Sequence, residues 1–296
     1  MNPKISIYIP TKNRLDLLQL AIQSVIDQSY ENWELIVVND ASTDGTKNYL
    51  DNLAANNPKI KAIHHAESFG ACVSRNDALF SATGEFVTGL DDDDVFLPER
   101  LKIFVDNWDE NAGVIALCAY FDVDNGKRIL KANNLKEKII SQDDLLYENS
   151  VGNQVFVKTE DLKKIGGFDI DFKMWQDFDC WYRLLSNGNK IKKIPYSTYI
   201  WDNKDRTDRI SGLQANKVVD TYRLFVKKHK LSKSKANILK FILVEYNLKK
   251  MNWSFYTEML IGTGFDSRTV TSINNNFLKP KVYNLLVDLK LLKKKS

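Results

Sequence analysis

Four consecutive aspartates, Asp91 to Asp94, end an apolar run that begins near Glu85 and stand directly before Val95-Phe-Leu-Pro98. Carboxylates crowded at the C-terminal end of a buried strand repel one another, and a bound divalent cation relieves that repulsion. Capping the helix whose start Pro98 marks would account for one aspartate, not for four. Hard carboxylate oxygens select Mg2+ or Mn2+, ions that take one or two protein carboxylates and complete their shell with substrate phosphates. These residue types in this order predict a metal-dependent site.

A second polar cluster, Asp40 with Ser42, Thr43, Asp44 and Gly45, follows the apolar run Leu35 to Val38. With Asp51 downstream it superficially matches a calcium-binding EF-hand loop, but such a loop follows a helix, and residues 35–38 are too short and β-branched for one. The better reading is a strand-to-helix turn: Asp40 points into a ligand cleft while Ser42, Thr43 and Asp44 cap the next helix. Arg75 lies about one turn into a predicted helix. It is either solvated or offers its planar fork of donors to a diphosphate or a base edge. Asp177 and Asp179 open another helix among Trp175, Phe178 and Trp181. They either cap it and complement its dipole, or one of them, partly desolvated by the indoles, is a general base of raised pKa. His64, His65 and His229 have no partner at ligand spacing and read as structural or exposed. No Gly-x-Gly-x-x-Gly, Walker loop or nucleophile elbow occurs.

What could position these residues is legible in the hydrophobic pattern. Ile5–Ile9 reads as a strand, and Leu15, Leu18, Ile22, Val25 and Ile26 then recur as one face of a helix. Strands at 35–38, 60–64 and 85–90 alternate with helices near 47–55 and 71–81. Apolar strands separated by helical crossovers predict a mostly parallel sheet covered on both faces, with ligands beyond the carboxyl ends of its strands. The clusters at 10–14, 39–44 and 91–94 fall at those ends. Further on, the pattern predicts a helix at 99–108, a strand at 114–123, a charged connection and a short helix at 143–147. A strand at 154–157, a helix at 176–186 and a strand at 191–201 follow, then almost continuous helix after Gly212.

The chain of 296 residues has 44% hydrophobic and 27% charged residues and a net charge of +4, a composition that excludes a disordered or fibrous protein. The bland total hides an asymmetry. Residues 1–212 carry 25 Lys and Arg against 33 Asp and Glu, whereas residues 213–296 carry 17 against 5. Three cysteines match neither a disulfide framework nor a zinc site, and no signal peptide or membrane span is legible, so the expected location is the cytoplasm. The last segment, 281–296, combines an apolar stripe with five Lys against one Asp. It is either a packing helix with a solvated end or an amphipathic helix that lies on an anionic membrane, which would make the protein peripheral on the inner face of the cell membrane. Nucleic acid is not an expected partner, because the basic residues lack interleaved aromatics.

Taken together, Ile5-Ser-Ile-Tyr-Ile-Pro-Thr-Lys-Asn-Arg14, Val37-Val-Asn-Asp-Ala-Ser-Thr-Asp-Gly-Thr46, Gly70 to Asp77 and Leu90-Asp-Asp-Asp-Asp-Val-Phe-Leu-Pro98 resemble, in order, the motifs of the family-2 inverting glycosyltransferases with the GT-A fold. The resemblance covers about residues 4–212. It implies an α/β fold, a Rossmann-like, mostly parallel mixed sheet flanked by helices. Residues 1–98 would bind the nucleotide sugar and 99–212 the acceptor, with 213–296 a basic helical extension. It implies a nucleoside-diphosphate sugar donor, usually a UDP-sugar, held by Pro10, Thr11, Asn13, Arg14, Asp40 (accepting from the nucleobase), Arg75 and Asp92. Asp91 and Asp93 match the outer positions of the family's Asp-x-Asp and would hold Mn2+ or Mg2+, with Asp94 supporting the loop or the following helix. Gln176-Asp177 matches the family's Glu-Asp pair, so Asp177 would be the catalytic base while the first carboxylate is missing. The His that many relatives place near Tyr199 to Lys204 is missing too, and Asp202 or Asn203 would stand in as a metal ligand.

The implied reaction is sugar transfer to a hydroxyl of a lipid-linked glycan during assembly of a bacterial surface polysaccharide such as O-antigen or capsule. Two alternatives remain: a sugar-phosphate nucleotidyltransferase, which normally carries a Gly-rich loop where Pro10-Thr-Lys-Asn-Arg14 has none, and a non-catalytic nucleotide-sugar-binding assembly protein.

Overall fold

The computed structural model describes residues 2–124, 127–132, 135–148, 151–152, 155–186, 188–201, 215–245 and 253–263. The chain divides into two compact units, one of Met1–Leu145 with Ser150–Gly212, the other of Leu146–Asn149 with Leu213–Ser296.

The first unit opens with strict alternation: β1 (Ile5–Thr11), α1 (Leu15–Ile26), β2 (Trp33–Asn39), α2 (Thr46–Asn56), β3 (Ile60–His64), α3 (Ala71–Ser81) and β4 (Phe86–Gly89). Every residue of β1 except Pro10 is buried, as a strand covered on both faces requires. α1 buries Leu18, Ala21, Ile22 and Val25, the stripe its spacing predicts. The chain continues as β5 (Val95–Phe96), α4 (Arg100–Asp106), β6 (Gly113–Leu117), β7 (Ala119–Asp124), β8 (Lys127–Ala132), β9 (Lys138–Ile140), α5 (Gln142–Leu145), β10 (Phe156–Lys158), α6 (Thr159–Lys164), α7 (Gln176–Leu185), β11 (Lys190–Ile194) and β12 (Tyr199–Trp201).

Eight strands form the main sheet in the order β3-β2-β1-β4-β10-β6-β11-β9. The β1–β2, β1–β4, β2–β3 and β6–β11 pairs are parallel, whereas β10 runs antiparallel to both its neighbours and β9 to β11. The sheet is thus mixed and mostly parallel, as expected. A smaller sheet, β5-β12-β7-β8, stands beside it. Because β1, β2 and β4 run parallel, the loops that follow them leave one rim. The core beneath is aromatic at its centre: the Phe156 ring stacks on Phe86 at 4.7 Å and on Phe104 at 5.1 Å.

In the second unit the expected continuous helix is three helices among the described residues: α8 (Ala215–Lys228), α9 (Lys233–Glu245) and α10 (Trp253–Gly262). Ile238, Leu239 and Ile242 are buried along α9, and Phe241, Phe255 and Met259 form a small core with Tyr147 against it. Tyr246 and the whole segment 281–296 lie outside the described residues. No helix among the described residues is long and apolar enough to cross a membrane.

Candidate functional site

Backbone strain marks the rim. Among the described residues the non-glycine positions with positive φ are Asn13 (54°), Ala41 (58°), Trp175 (59°) and Lys230 (47°), and the first three precede α1, α2 and α7. Left-handed backbone at non-glycine residues persists only where surrounding contacts over-determine it, and it concentrates at ligand sites. The contacts here are specific. Asn13 donates its N–H to Ser42 Oγ at 2.9 Å and accepts the Thr43 N–H at 2.7 Å, pinning the loop after β1 to the loop after β2. Asp44 accepts from Leu15 N at 3.0 Å and from Thr46 Oγ1 at 2.6 Å, and so serves the starts of two helices at once. Asn13, expected on the donor, makes its resolved bonds within the protein, and Pro10 is half-buried in β1.

The four aspartates part company in the fold. Asp92 is buried and accepts from Thr11 Oγ1 at 2.8 Å and from Arg14 Nη1 at 3.0 Å, whereas Arg14 reaches Asp93 at 3.3 Å. Burial pushes the Asp92 carboxyl up to about 6 against the pull of Arg14 and Thr11. Thr11, Arg14 and Asp92, all expected on the nucleotide sugar, thereby tie the loop after β1 to the loop after β4. Asp91 accepts from Arg75 Nη2 at 3.0 Å, and Asp94 accepts from the Tyr199 hydroxyl at 2.5 Å. Beneath that tyrosine the buried Arg100 guanidinium lies 4.4 Å from the Phe96 ring, 4.6 Å from Phe104 and 5.0 Å from Tyr199. Burial lowers Arg100 to about 9, with Tyr199 and Asp94 opposing. The repulsion that the sequence leaves unrelieved is therefore offset in part by arginines of the chain itself, beside any bound cation.

Asp91, Asp93 and Asp94 nevertheless bring one carboxylate oxygen each to within 4.8 Å of one another. An all-carboxylate set of this size fits a hard divalent cation such as Mg2+ or Mn2+. Asp91 and Asp93 are the expected pair; Asp94, expected to support the loop or the following helix, accepts from Tyr199 and joins the set as well. Asp202 and Asn203 lie outside the described residues.

Asp40 is buried beneath a belt of donors. Its Oδ1 accepts from His65 Nδ1 at 2.8 Å and Phe69 N at 2.8 Å, and its Oδ2 from Ser68 Oγ at 2.6 Å and Gly70 N at 2.9 Å. Burial would raise this carboxyl, yet the four bonds bring it down to about 2. Gly70 adopts φ 90°, a conformation that suits glycine and carries the chain into α3. His65, read from sequence as structural or exposed, is structural: it bridges two acids, its Nε2 lying 2.8 Å from Asp77. Ionised carboxylates only accept, so the protonated ring is the form that donates from both nitrogens. Burial would lower the His65 pKa, but Asp40 and Asp77 outweigh it and raise it. The stability this bridge contributes is complete below about pH 6.5 and is lost as pH rises through the raised folded value. The protection factors of the Phe69 and Gly70 amides, with the intrinsic base-catalysed rate divided out, should therefore fall above neutrality, and His65→Gln should remove that fall. Protection factors equal at pH 6 and pH 9 in the wild-type protein would exclude the bridge.

Asp177 lies half-buried in the first turn of α7, two residues after the strained Trp175. Its charge and that of Asp91 both act on the buried Tyr8 hydroxyl, whose pKa burial raises and which Arg75 opposes. Asp179 is separately committed, since its fully buried carboxylate accepts from Arg183 Nε at 2.8 Å while Arg183 also donates to the carbonyls of Ile165 and Gly167 at 2.6 Å. The segment before α7 is anchored on α3, where the Asn76 side chain accepts from Phe168 N and donates to Phe168 O, each at 2.7 Å. Gly167 has φ 65°, and a Cβ there would collide with Asn76, so both backbone and space require glycine.

Arg75 ties the halves of the rim together. It donates to Asp91 at 3.0 Å and to Gln176 Oε1 at 3.3 Å, and its guanidinium lies 5.5 Å from the Phe168 ring. Burial would lower its pKa, but Asp91 outweighs that and holds it above the ordinary value. One side chain thus spans the acidic segment and the helix that carries Asp177.

A family model described as glycosyl transferase family 2 matches residues 6–164. The chain is 34% identical over 257 residues to the putative colanic acid biosynthesis glycosyl transferase WcaA of Escherichia coli (strain K12), covering 85% of this chain and 91% of that protein. It is 33% identical over 173 residues to the GalNAc(5)-diNAcBac-PP-undecaprenol beta-1,3-glucosyltransferase of Campylobacter jejuni, covering 57% of this chain and 56% of that one. Among solved structures, S. aureus TarS 1-349 in complex with UDP-GlcNAc superposes with a TM-score of 0.68 at 21% identity, over 91% of this chain and 81% of that one.

Proposed function

The chain belongs to glycosyl transferase family 2, and from that premise we propose that it transfers a sugar, with inversion, from a UDP-sugar to a hydroxyl of a lipid-linked glycan in bacterial surface-polysaccharide assembly. The observation that supports the reading is Arg75, whose guanidinium donates both to Asp91 and to Gln176, the neighbour of the candidate base Asp177. The acceptor class is suggested by the relatives, one named for colanic acid biosynthesis and one for an undecaprenol-linked acceptor.

The chemistry is a single in-line displacement. The acceptor oxygen forms its bond to the anomeric carbon as the bond to the diphosphate oxygen breaks, the bonding pair leaves with the nucleoside diphosphate, and the acceptor proton passes to the Asp177 carboxylate. Asp91, Asp93 and Asp94 would hold Mg2+ or Mn2+, which supplies positive charge against the leaving diphosphate. Arg75 keeps Asp91 and the start of α7 in register, and Arg14 with Thr11 holds the acidic segment against the loop after β1. Residues 1–212 would form the transferase and 213–296 a helical extension.

The test is release of nucleoside diphosphate from a panel of sugar donors, with Mn2+ and an undecaprenyl-linked acceptor. Acceptor-dependent release from a UDP-sugar is the expected result. Binding of a donor without release under any acceptor would identify a non-catalytic nucleotide-sugar binder, and release of pyrophosphate from a nucleoside triphosphate and a sugar phosphate would identify a nucleotidyltransferase.

A further inference from the structure

The charge of the first unit is unevenly spread. Residues 1–212 are net acidic, yet the stretch 127–139 within them carries five Lys and Arg against one Glu. That Glu137 is itself paired with Lys192 at 3.5 Å. β8 opens this stretch and forms an outer edge of the small sheet, with β7 as its ladder partner. The chain then runs to β9, an outer edge of the main sheet, and Cys118 Sγ donates to the Lys136 carbonyl at 3.3 Å, which ties this segment to the junction of β6 and β7.

Ile129, Leu130, Leu135 and Ile139 are all exposed along it, as are Lys127 and Arg128. Successive residues of a strand point to opposite faces, so Ile129 and Leu130 stand on the two sides of β8 and both meet solvent. A protein partner laid on one face would cover one of them and leave the other wet. A fluid layer that takes in the edge from both sides covers both. Lysines along an edge strand also oppose its pairing with a second copy of itself, through like charge. Apolar side chains interleaved with basic ones suit the boundary between acyl chains and anionic headgroups.

We propose that the edge from β8 to β9 is a membrane-docking surface that inserts Ile129, Leu130, Leu135 and Ile139 into an anionic lipid layer, with Lys127 and Arg128 on the headgroup phosphates. The docking stands apart from the reaction, whereas its consequence rests on the acceptor reading above. The small sheet runs β5-β12-β7-β8, and β5 directly follows Asp94. Three strand spacings, about 14 Å, separate the docked edge from the strand that continues the acidic segment. The lipid end of the acceptor then stays in the membrane at β8 while its glycan end reaches the site.

Co-sedimentation of the full chain with vesicles of phosphatidylglycerol and phosphatidylcholine in equal parts, and of phosphatidylcholine alone, tests the edge. The wild-type protein is expected to bind the anionic vesicles about tenfold or more tightly than the neutral ones. Lys127→Gln with Arg128→Gln should lower affinity for the anionic vesicles about 30-fold, at ~1 kcal/mol for each basic residue lost. Ile129→Thr with Leu130→Thr keeps strand-forming residues at exposed positions, so the melting temperature should hold while vesicle affinity falls about tenfold or more. Vesicle affinity unchanged in both double variants overturns the inference and leaves the transferase reading standing. So does a wild-type protein that ignores vesicles but binds a poly-glutamate peptide, or self-associates, through these residues. Vesicle binding that the variants abolish, in a protein with no acceptor-dependent sugar transfer, overturns the acceptor reading and leaves the docking edge standing.

Discussion

Asp177→Asn is expected to bind the donor as the wild-type protein does and to turn over about 10²–10⁴-fold more slowly, the range that a positioned general base contributes. Asparagine keeps the shape and cannot take a proton. The sequence leaves Asp177 and Asp179 as competing candidates for capping and for catalysis, and the fold separates them. Asp179 is fully buried against Arg183, whose guanidinium also satisfies two carbonyls of the segment before α7. Removing one partner of a buried pair costs about 3–5 kcal/mol, so Asp179→Asn should lower the melting temperature. Asp177 is half-buried on the rim, one residue from the Gln176 that Arg75 holds. Its replacement should therefore leave the melting temperature near the wild-type value while kcat falls. A mutant with near-normal kcat would remove Asp177 from the mechanism, and a mutant that loses donor affinity in proportion to rate would recast it as a binding residue.

The same contrast shows which parts of the molecule can be read from sequence. β1 to β4 and their helices are legible because each strand is a continuous apolar run and each helix repeats at three and four residues. Past Pro98 the signal fails for identifiable reasons. Lys127–Ala132 reads as a charged connection because both faces of β8 are wet: Ile129 is 40% and Leu130 43% exposed, so no period-2 burial marks the strand. The runs 114–123 and 191–201 each read as one strand but are two, and in both cases the second member, β7 or β12, leaves the main sheet for the small one. α6 is missed because six residues, Thr-Glu-Asp-Leu-Lys-Lys, bury only Thr159 and Leu162.

At the site, the acidic segment, Asp40 and Asp177 stand out by residue type at strand and helix ends, but their partners do not. His65 meets acids 25 and 12 residues away, Arg14 meets Asp92 across 78 residues, and Tyr199 meets Asp94 across 105. Such pairs are set by the sheet order, which no local spacing encodes. The one signal for them in the sequence is electrostatic: four adjacent carboxylates need cations, and Arg14, Arg75 and Arg100 supply them.

Those pairings set the expected behaviour of the acidic segment. Asp91 is held by Arg75 and Asp94 by the Tyr199 hydroxyl, whereas Asp93 shares the longer 3.3 Å contact of Arg14 with Asp92. By the family's Asp-x-Asp pattern Asp93 would be the first of them to contact the cation. Asp93→Asn is expected to reduce kcat/KM by about 10²–10³-fold, the size of effect seen when one preorganised group that meets developing charge is removed. Tyr199→Phe keeps every carboxylate but frees Asp94 from its donor, and should weaken Mn2+ about 10- to 100-fold, as loss of an orienting outer partner does, with kcat recovering at saturating metal. A Mn2+ titration of nucleoside-diphosphate release separates these outcomes, because a lost ligand lowers the plateau and a lost orienting contact shifts the midpoint. Turnover undiminished in excess chelator would contradict both expectations and leave Arg14 and Arg75 as the charges that face the leaving diphosphate, and Arg14→Met would then carry the loss assigned here to Asp93.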